Sequence, residues 1–226
     1  MVGGLGLEED ASADGGGRPS SGHATYTGLG ERAHLANKSI DLETHIEDIL
    51  NVIKYEDRRD IVLIGHSYGG MVATGVADRA RERVSQLIYL DAFAPEDGQS
   101  LLNLNEPARL HMQELARTGD GWRVPPNPPP PDTPQAELEW LMERRVDTPI
   151  RCFEMKLKLR GGKLILPRSY IYATRITPAD TFGPLARRAK DEPDWRYYEI
   201  DASHSPHVTA PETLMSLLQK IVAERT

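Results

Sequence analysis

The sequence predicts an α/β fold in which helices flank a mostly parallel sheet. From about residue 40, short continuous apolar runs alternate with amphipathic helical segments, and this alternation favours parallel strands joined by helical crossovers. The chain has 226 residues, of which 39% are hydrophobic, so it is long enough to bury a large core. We therefore expect a single α/β domain.

The elements follow in order along the chain. Apolar residues recur at helical spacing over 42–53, which predicts an amphipathic helix. The run "DIVLIG" at 60–65 predicts a strand that is buried on both faces, and 69–82 predicts the helix after it. Three more strands are predicted at 86–91, 169–174 and 195–200. The chain then ends in a helix with an apolar stripe over 214–222.

Two stretches do not fit this alternation. Residues 1–24 contain seven glycines and few bulky apolar side chains, so we expect a flexible segment there. The region 95–165 contains the proline-rich run "VPPNPPPPDTP", which excludes a helix or central strand over that run. We expect this region to be a helical cap inserted into a core made of 25–94 and 166–226.

Composition narrows the classes of function. The net charge of −7 disfavours nucleic acid or an anionic membrane as a partner, and no apolar run reaches transmembrane length. Cys152 is the only cysteine, so no intrachain disulfide can form, and no His/Asp/Glu cluster has metal-ligand spacing. The acidic, glycine-rich start does not resemble a signal peptide. We expect a cytoplasmic protein that needs neither a metal nor a cofactor.

The segment "GHSYG" at 65–69 is the strongest functional motif. It fits G-x-S-x-G with a predicted strand before it and a helix after it, which is typical of a nucleophile elbow. The tight turn would raise the Ser67 hydroxyl above the sheet. It would also place the Tyr68 N–H at the start of a helix, where it can stabilise an oxyanion.

A serine nucleophile needs a base. His204 follows the last predicted strand, so it lies at the carboxyl edge of the sheet together with Ser67. His207 is the rival base. His45 falls in a helical pattern, and we expect it at the surface; His66 lies in the elbow itself, where we expect it to pack.

The base in turn needs a carboxylate. Asp180 follows the strand at 169–174, and the chain order Ser67, Asp180, His204 is the order found with such elbows. Asp91 ends the strand at 86–91 and preserves the same order, so it stays an alternative. We favour Asp180 as the acid.

Several motifs together resemble the α/β-hydrolase superfamily. Besides the elbow they are "TGLGERAHL" at 27–35, "LDAFAPEDGQSL" at 90–101 and "DASHSPHVTAP" at 201–211. The likeness extends from about residue 25 to the C-terminus. Within the superfamily, the chain most resembles the branch of methyl-salicylate esterases and hydroxynitrile lyases. It implies a catalytic triad of Ser67, Asp180 and His204, the Tyr68 N–H as an oxyanion donor, and a cap over an apolar acyl or aryl pocket.

The sequence departs from this branch at two places. Hydroxynitrile lyases carry a lysine directly after the catalytic histidine, whereas this chain has Ser205, which disfavours a lyase. Members of the branch also begin with a strand and an H-G-x-x-like turn that supplies a second oxyanion N–H, and 1–24 shows no such pattern. The N-terminal strand is therefore expected to be absent or altered. Three explanations stay open: a natural truncation, a misassigned start, or replacement of the strand by the chain's own N-terminal segment or by a second subunit, as in a homodimer.

Two functions follow as expectations. The first is a serine hydrolase that cleaves a small carboxylic ester through an acyl-enzyme. The alternative is a catalytically impaired α/β-hydrolase scaffold that only binds a ligand or is inert, because the second oxyanion donor is not evident.

Overall fold

A computed structural model describes residues 5–9, 19–176 and 179–224. Its strands are β1 (Leu5–Glu9), β2 (Pro19–His23), β3 (Ile61–Ser67), β4 (Val84–Ala92), β5 (Arg123–Val124), β6 (Thr148–Pro149), β7 (Arg168–Ala173) and β8 (Trp195–Ile200). Its α-helices are α1 (Leu42–Tyr55), α2 (Gly69–Arg79), α3 (Leu101–Leu104), α4 (Glu106–Thr118), α5 (Gln135–Met142), α6 (Arg151–Glu154), α7 (Gly183–Asp191), α8 (Pro206–Thr209) and α9 (Pro211–Ala223). A 3-10 helix spans Gly30–Leu35.

The main sheet has the strand order β2-β1-β3-β4-β7-β8. The strands β3, β4, β7 and β8 run parallel to one another, and they coincide with the four strands that the sequence predicts. Their carboxyl ends therefore share one edge of the sheet, where ligands of such folds bind.

The two faces of the sheet are covered by different helices. Along β3, Ile61 and Leu63 pack into the cluster that contains α1 and α2, whereas Val62 and Ile64 pack into the cluster that contains α9. This alternation is the period of two that a strand imposes on its side chains. The continuous apolar run at 60–65 thus corresponds to a strand buried on both faces, as predicted.

The N-terminal segment corrects one expectation. We predicted a flexible stretch over 1–24, but β1 and β2 lie within it, and β1 pairs antiparallel with both β2 and β3. An antiparallel neighbour satisfies the backbone groups of β3 that would otherwise face an open edge. The remainder of the expectation, over 1–4 and 10–18, lies outside the described residues.

The stretch between β4 and β7 holds the helices α3 to α6 and a small sheet formed by β5 and β6. It includes the region 95–165, for which a helical cap stays a prediction. The proline run joins β5 to α5 without helix or strand, as its missing N–H donors require.

Candidate active site

The turn between β3 and α2 has the geometry of a nucleophile elbow. Ser67 adopts a φ of 54°, a left-handed conformation that costs free energy for a residue other than glycine. Its carbonyl oxygen accepts a hydrogen bond from the Phe93 N–H at 3.1 Å, which ties the turn to the end of β4. Such strain is characteristic of functional sites because the surrounding structure must maintain it.

Two glycines make room for this turn. A Cβ at Gly65 would lie 2.8 Å from the Gly69 carbonyl oxygen, and a Cβ at Gly70 would overlap the Phe93 carbonyl oxygen. Gly69 is different, because the nearest atom to a Cβ there is the Tyr26 hydroxyl at 3.6 Å. The close approach of helix and strand therefore depends on Gly65 and Gly70, whereas the motif alone had pointed to Gly65 and Gly69.

Tyr68 sits at the N-cap of α2, so its N–H belongs to the positive end of that helix. Its side chain is buried, and its hydroxyl lies 2.9 Å from His45 Nδ1. The other ring nitrogen, His45 Nε2, lies 3.1 Å from the Thr27 carbonyl oxygen. A carbonyl can only accept, so Nε2 carries the proton and Nδ1 accepts from the Tyr68 hydroxyl.

His45 corrects a second expectation, because it is fully buried rather than at the surface. Burial lowers its pKa to about 4, so the ring is neutral near pH 7. The sequence contained a signal for this: His45 lies three residues after Leu42 and four before Ile49, on the buried stripe of α1.

His204 lies on the loop between β8 and α8, at the carboxyl edge of the sheet. Its Nδ1 is 2.7 Å from Asp91 Oδ2. A carboxylate fixes Nδ1 as the donor, which leaves Nε2 free to accept a proton. The Phe182 ring stacks on His204 with centroids 4.8 Å apart and planes at 8°, so the imidazole is held from its face as well as its edge.

Asp91 lies at the end of β4 and is 4% exposed. Its Oδ1 accepts a hydrogen bond from the Ala173 N–H of β7 at 3.3 Å. Burial raises its pKa, and the hydrogen bond from His204 opposes that effect. The carboxylate is thus positioned by two neighbouring strands.

Asp180, which we favoured as the partner of His204, has other contacts. Its Oδ1 accepts hydrogen bonds from the Gly183 N–H at 2.6 Å and from the Tyr172 hydroxyl at 3.0 Å. The carboxylate therefore caps the first turn of α7, where negative charge is favourable. The pairing of His204 with Asp180 is wrong for this structure, and Asp91 occupies that position.

Ser67, Tyr68, Asp91 and His204 line one cavity with a volume of about 670 Å³. Its other walls are largely apolar and come from the cap, the proline run and the loop after β7; they include Phe93, Leu101, Met112, Pro128, Phe153 and Phe182. Asp180 also lines it. Every described residue of the lining lies at or after Ser67, so the described part of the N-terminal region contributes no second oxyanion donor to this lining.

Two further features concern the described residues only. They include no group of three His, Cys, Asp or Glu side chains arranged to hold a metal ion. None of their helices has the length and apolar character needed to cross a membrane.

Comparison with curated proteins gives two related esterases. The carbendazim hydrolyzing esterase of Nocardioides sp. (strain SG-4G) is 36% identical over 206 residues, which cover 86% of this chain and 84% of the relative. Methylesterase 17 of Arabidopsis thaliana is 24% identical over 192 residues, which cover 74% of this chain and 67% of the relative.

Solved structures have the same fold. An extracellular alpha/beta-hydrolase from a Paenibacillus species superposes with a TM-score of 0.74 at 23% identity, covering 87% of this chain and 84% of that chain. An Arabidopsis methylesterase superposes with a TM-score of 0.66 at 20% identity, covering 90% and 86%. A model of the alpha/beta hydrolase family matches residues 11–217. Together with the 36% identity to a relative that is matched over 84% of its length, this match shows that the chain belongs to the alpha/beta hydrolase family.

Proposed function

We propose that the protein hydrolyses small carboxylic esters through an acyl-enzyme, with Ser67 as nucleophile, His204 as base and Asp91 as the acid that orients His204. The observation that carries the proposal is the 2.7 Å contact between His204 and Asp91 beside the cavity that Ser67 lines. The three side chains come from the ends of β3 and β4 and from the loop after β8. This convergence supports a triad rather than an isolated serine cap.

In the first half of the reaction, Ser67 Oγ attacks the ester carbonyl carbon while His204 Nε2 takes the hydroxyl proton. The Tyr68 N–H donates to the oxyanion of the tetrahedral intermediate. The intermediate collapses as the bond to the alcohol oxygen breaks, and His204 returns the proton to that oxygen. The alcohol leaves, and the acyl group remains on Ser67.

In the second half, water attacks the acyl carbon and gives one proton to His204 Nε2. The bond to Ser67 Oγ breaks, the carboxylic acid leaves, and the proton passes from His204 to Ser67. Asp91 stays ionised throughout and stabilises the imidazolium in both halves. No group other than water and the ester is consumed.

Two observations support a small, largely apolar ester as the substrate. The cavity of about 670 Å³ is within the usual range for small-molecule sites, and its walls are mostly apolar side chains. Both curated relatives carry esterase names, one for carbendazim and one as a methylesterase.

Ser205 directly follows His204, so the lysine position of hydroxynitrile lyases carries no cation, which favours hydrolysis over that alternative.

Labelling with a fluorophosphonate probe tests the proposal. We expect the probe to modify Ser67 in the intact protein, and we expect Ser67→Ala to abolish labelling and to lower kcat for p-nitrophenyl acetate by at least about 10⁴-fold. Ser216→Ala is the matched control, because the exposed Ser216 hydroxyl donates to the Glu212 carbonyl oxygen within α9. A folded protein that stays unlabelled would contradict the proposal and favour the impaired scaffold.

A further inference from the structure

His66, the residue before Ser67, makes a hydrogen bond that the proposed reaction does not use. Its Nε2 lies 2.6 Å from the backbone carbonyl oxygen of His204. The two residues are 138 positions apart along the chain. This bond therefore joins the nucleophile elbow directly to the loop that carries the base.

The chemistry of the bond fixes the state of the ring. A carbonyl oxygen has no proton to give, so His66 Nε2 must be the donor. Burial lowers the pKa of His66 well below its ordinary value, and the neighbouring His204 and His207 add to that effect. Near neutral pH the ring is thus an uncharged, single-tautomer donor.

The ring is also packed between two others. Its centroid lies 4.7 Å from that of His204 and 4.8 Å from that of His207. Any role of His66 can therefore come from its hydrogen bond or from its ring contacts, and the two must be separated by experiment.

Asp91 and Phe182 contact the imidazole of His204, whereas two other bonds of this loop involve residues beside it. The Ala202 carbonyl oxygen accepts from the Arg175 N–H at 3.0 Å, and the Ser203 hydroxyl lies 3.2 Å from the Thr209 hydroxyl. Among the described residues, the His66 bond is the backbone contact of His204 that reaches the strand of the nucleophile.

We propose that His66 is a positioning residue, whose Nε2–H holds the His204 backbone so that the imidazole stays within reach of Ser67 and Asp91. The inference rests on the proposed function and deepens it. A displacement of about 1 Å between reacting groups can cost about 10²-fold in rate. A hydrogen bond between β3 and the loop that carries His204 is a direct way to prevent such a displacement.

Two substitutions separate the hydrogen bond from the ring. His66→Phe keeps a ring against His204 and His207 but removes the donor. His66→Gln removes the ring but can place its amide Nε2 where the imidazole Nε2 lies. If the bond is what matters, we expect His66→Phe to lower kcat for p-nitrophenyl acetate by about 10- to 100-fold with little change in KM, and His66→Gln to restore most of kcat.

His207→Phe is the matched control, since it alters the other ring beside His66 and leaves the bond in place; it should keep kcat within about threefold. The melting temperature of each variant shows whether the fold survives. If His66→Phe fails to fold, the activity of His66→Gln still distinguishes the two roles. If His66 acts through ring packing, His66→Gln should be impaired; if it acts as a hydrogen-bond donor, His66→Gln should be active.

The outcomes distinguish this inference from the function on which it rests. If Ser67→Ala abolishes turnover but His66→Phe retains full kcat, or His66→Gln is the more impaired of the pair, the positioning role is wrong and the hydrolase stands. If Ser67→Ala leaves turnover unchanged, the proposed function itself is wrong. A loss in His66→Phe together with rescue in His66→Gln supports both.

Discussion

The burial of Asp91 positions its carboxylate beside His204 but disfavours the ionised form of that carboxylate. The side chain is 4% exposed, and transfer of a carboxylate from water into such a site is unfavourable unless hydrogen bonds replace the lost water. The Ala173 N–H and the His204 ring supply those bonds. Because burial outweighs them, the pKa of Asp91 is raised, which is typical of functional carboxylates.

Gly70 lies so close to the end of β4 that the position has no room for a larger side chain. Gly70→Ala would push a methyl group into the Phe93 carbonyl oxygen and to within 3.0 Å of the Ala92 Cβ. The methyl group must displace α2 from the end of β4, so we expect a loss of about 1–3 kcal/mol in the free energy of unfolding. Since Ser67 lies just before the N-cap of α2, kcat should fall by at least about 10-fold as well.

Gly69→Ala provides the control for this prediction. Its Cβ would meet the Tyr26 hydroxyl only at 3.6 Å, an ordinary contact, so the free energy of unfolding should change by less than about 1 kcal/mol. Urea denaturation and p-nitrophenyl acetate turnover measure both variants. Equal damage from the two substitutions would show that the helix–strand contact is not what constrains the elbow.

At the scale of elements, the sequence allowed the parallel part of the sheet to be predicted. The strands β3, β4, β7 and β8 lie where apolar runs predicted them, because a strand covered on both faces needs a continuous apolar run. The family resemblance is confirmed by the family match over 11–217. The elbow could be predicted for a similar reason, because its glycines, the strand before it and the helix after it are adjacent in the sequence.

Other elements could not be predicted in this way. The strands β1 and β2 lie in a glycine-rich segment that lacks a clear apolar alternation, and their antiparallel pairing with β3 supplies the stabilising backbone bonds. The choice between Asp91 and Asp180 was also open, because both follow strands at the same sheet edge. The contact with His204 distinguishes the two carboxylates. A local sequence pattern does not show which of two segments, both distant along the chain, makes such a contact.

At the scale of the whole molecule, buried neutral histidines make stability depend on pH. The pKa of His45 is lowered from 6.5 to about 4 in the folded protein, so as pH falls the unfolded chain binds a proton first. The neutral His45 ring therefore makes its full contribution to the free energy of unfolding above about pH 6.5, and this contribution is lost progressively as pH falls to about 4. The shift corresponds to a loss on the order of 3 kcal/mol.

Urea denaturation between pH 4 and pH 7 measures this dependence. We expect the free energy of unfolding to fall as pH decreases through this window in the native protein. His45→Gln should lower the stability at pH 7 but flatten the slope, because the amide can serve Tyr68 and Thr27 without titrating. His111→Gln makes the same change at an exposed histidine and is the matched control. An unchanged slope in His45→Gln would contradict the assignment.

The most direct test of the central claim, that Asp91 orients His204 beside Ser67, is a comparison of kcat in Asp91→Asn and Asp180→Asn. Both changes remove one charge and preserve shape. We predict that Asp91→Asn lowers kcat for p-nitrophenyl acetate by roughly 10³- to 10⁴-fold, as expected when a triad carboxylate is lost, whereas Asp180→Asn changes it by less than about 10-fold. The reverse result, with Asp180→Asn inactive and Asp91→Asn active, would contradict the account.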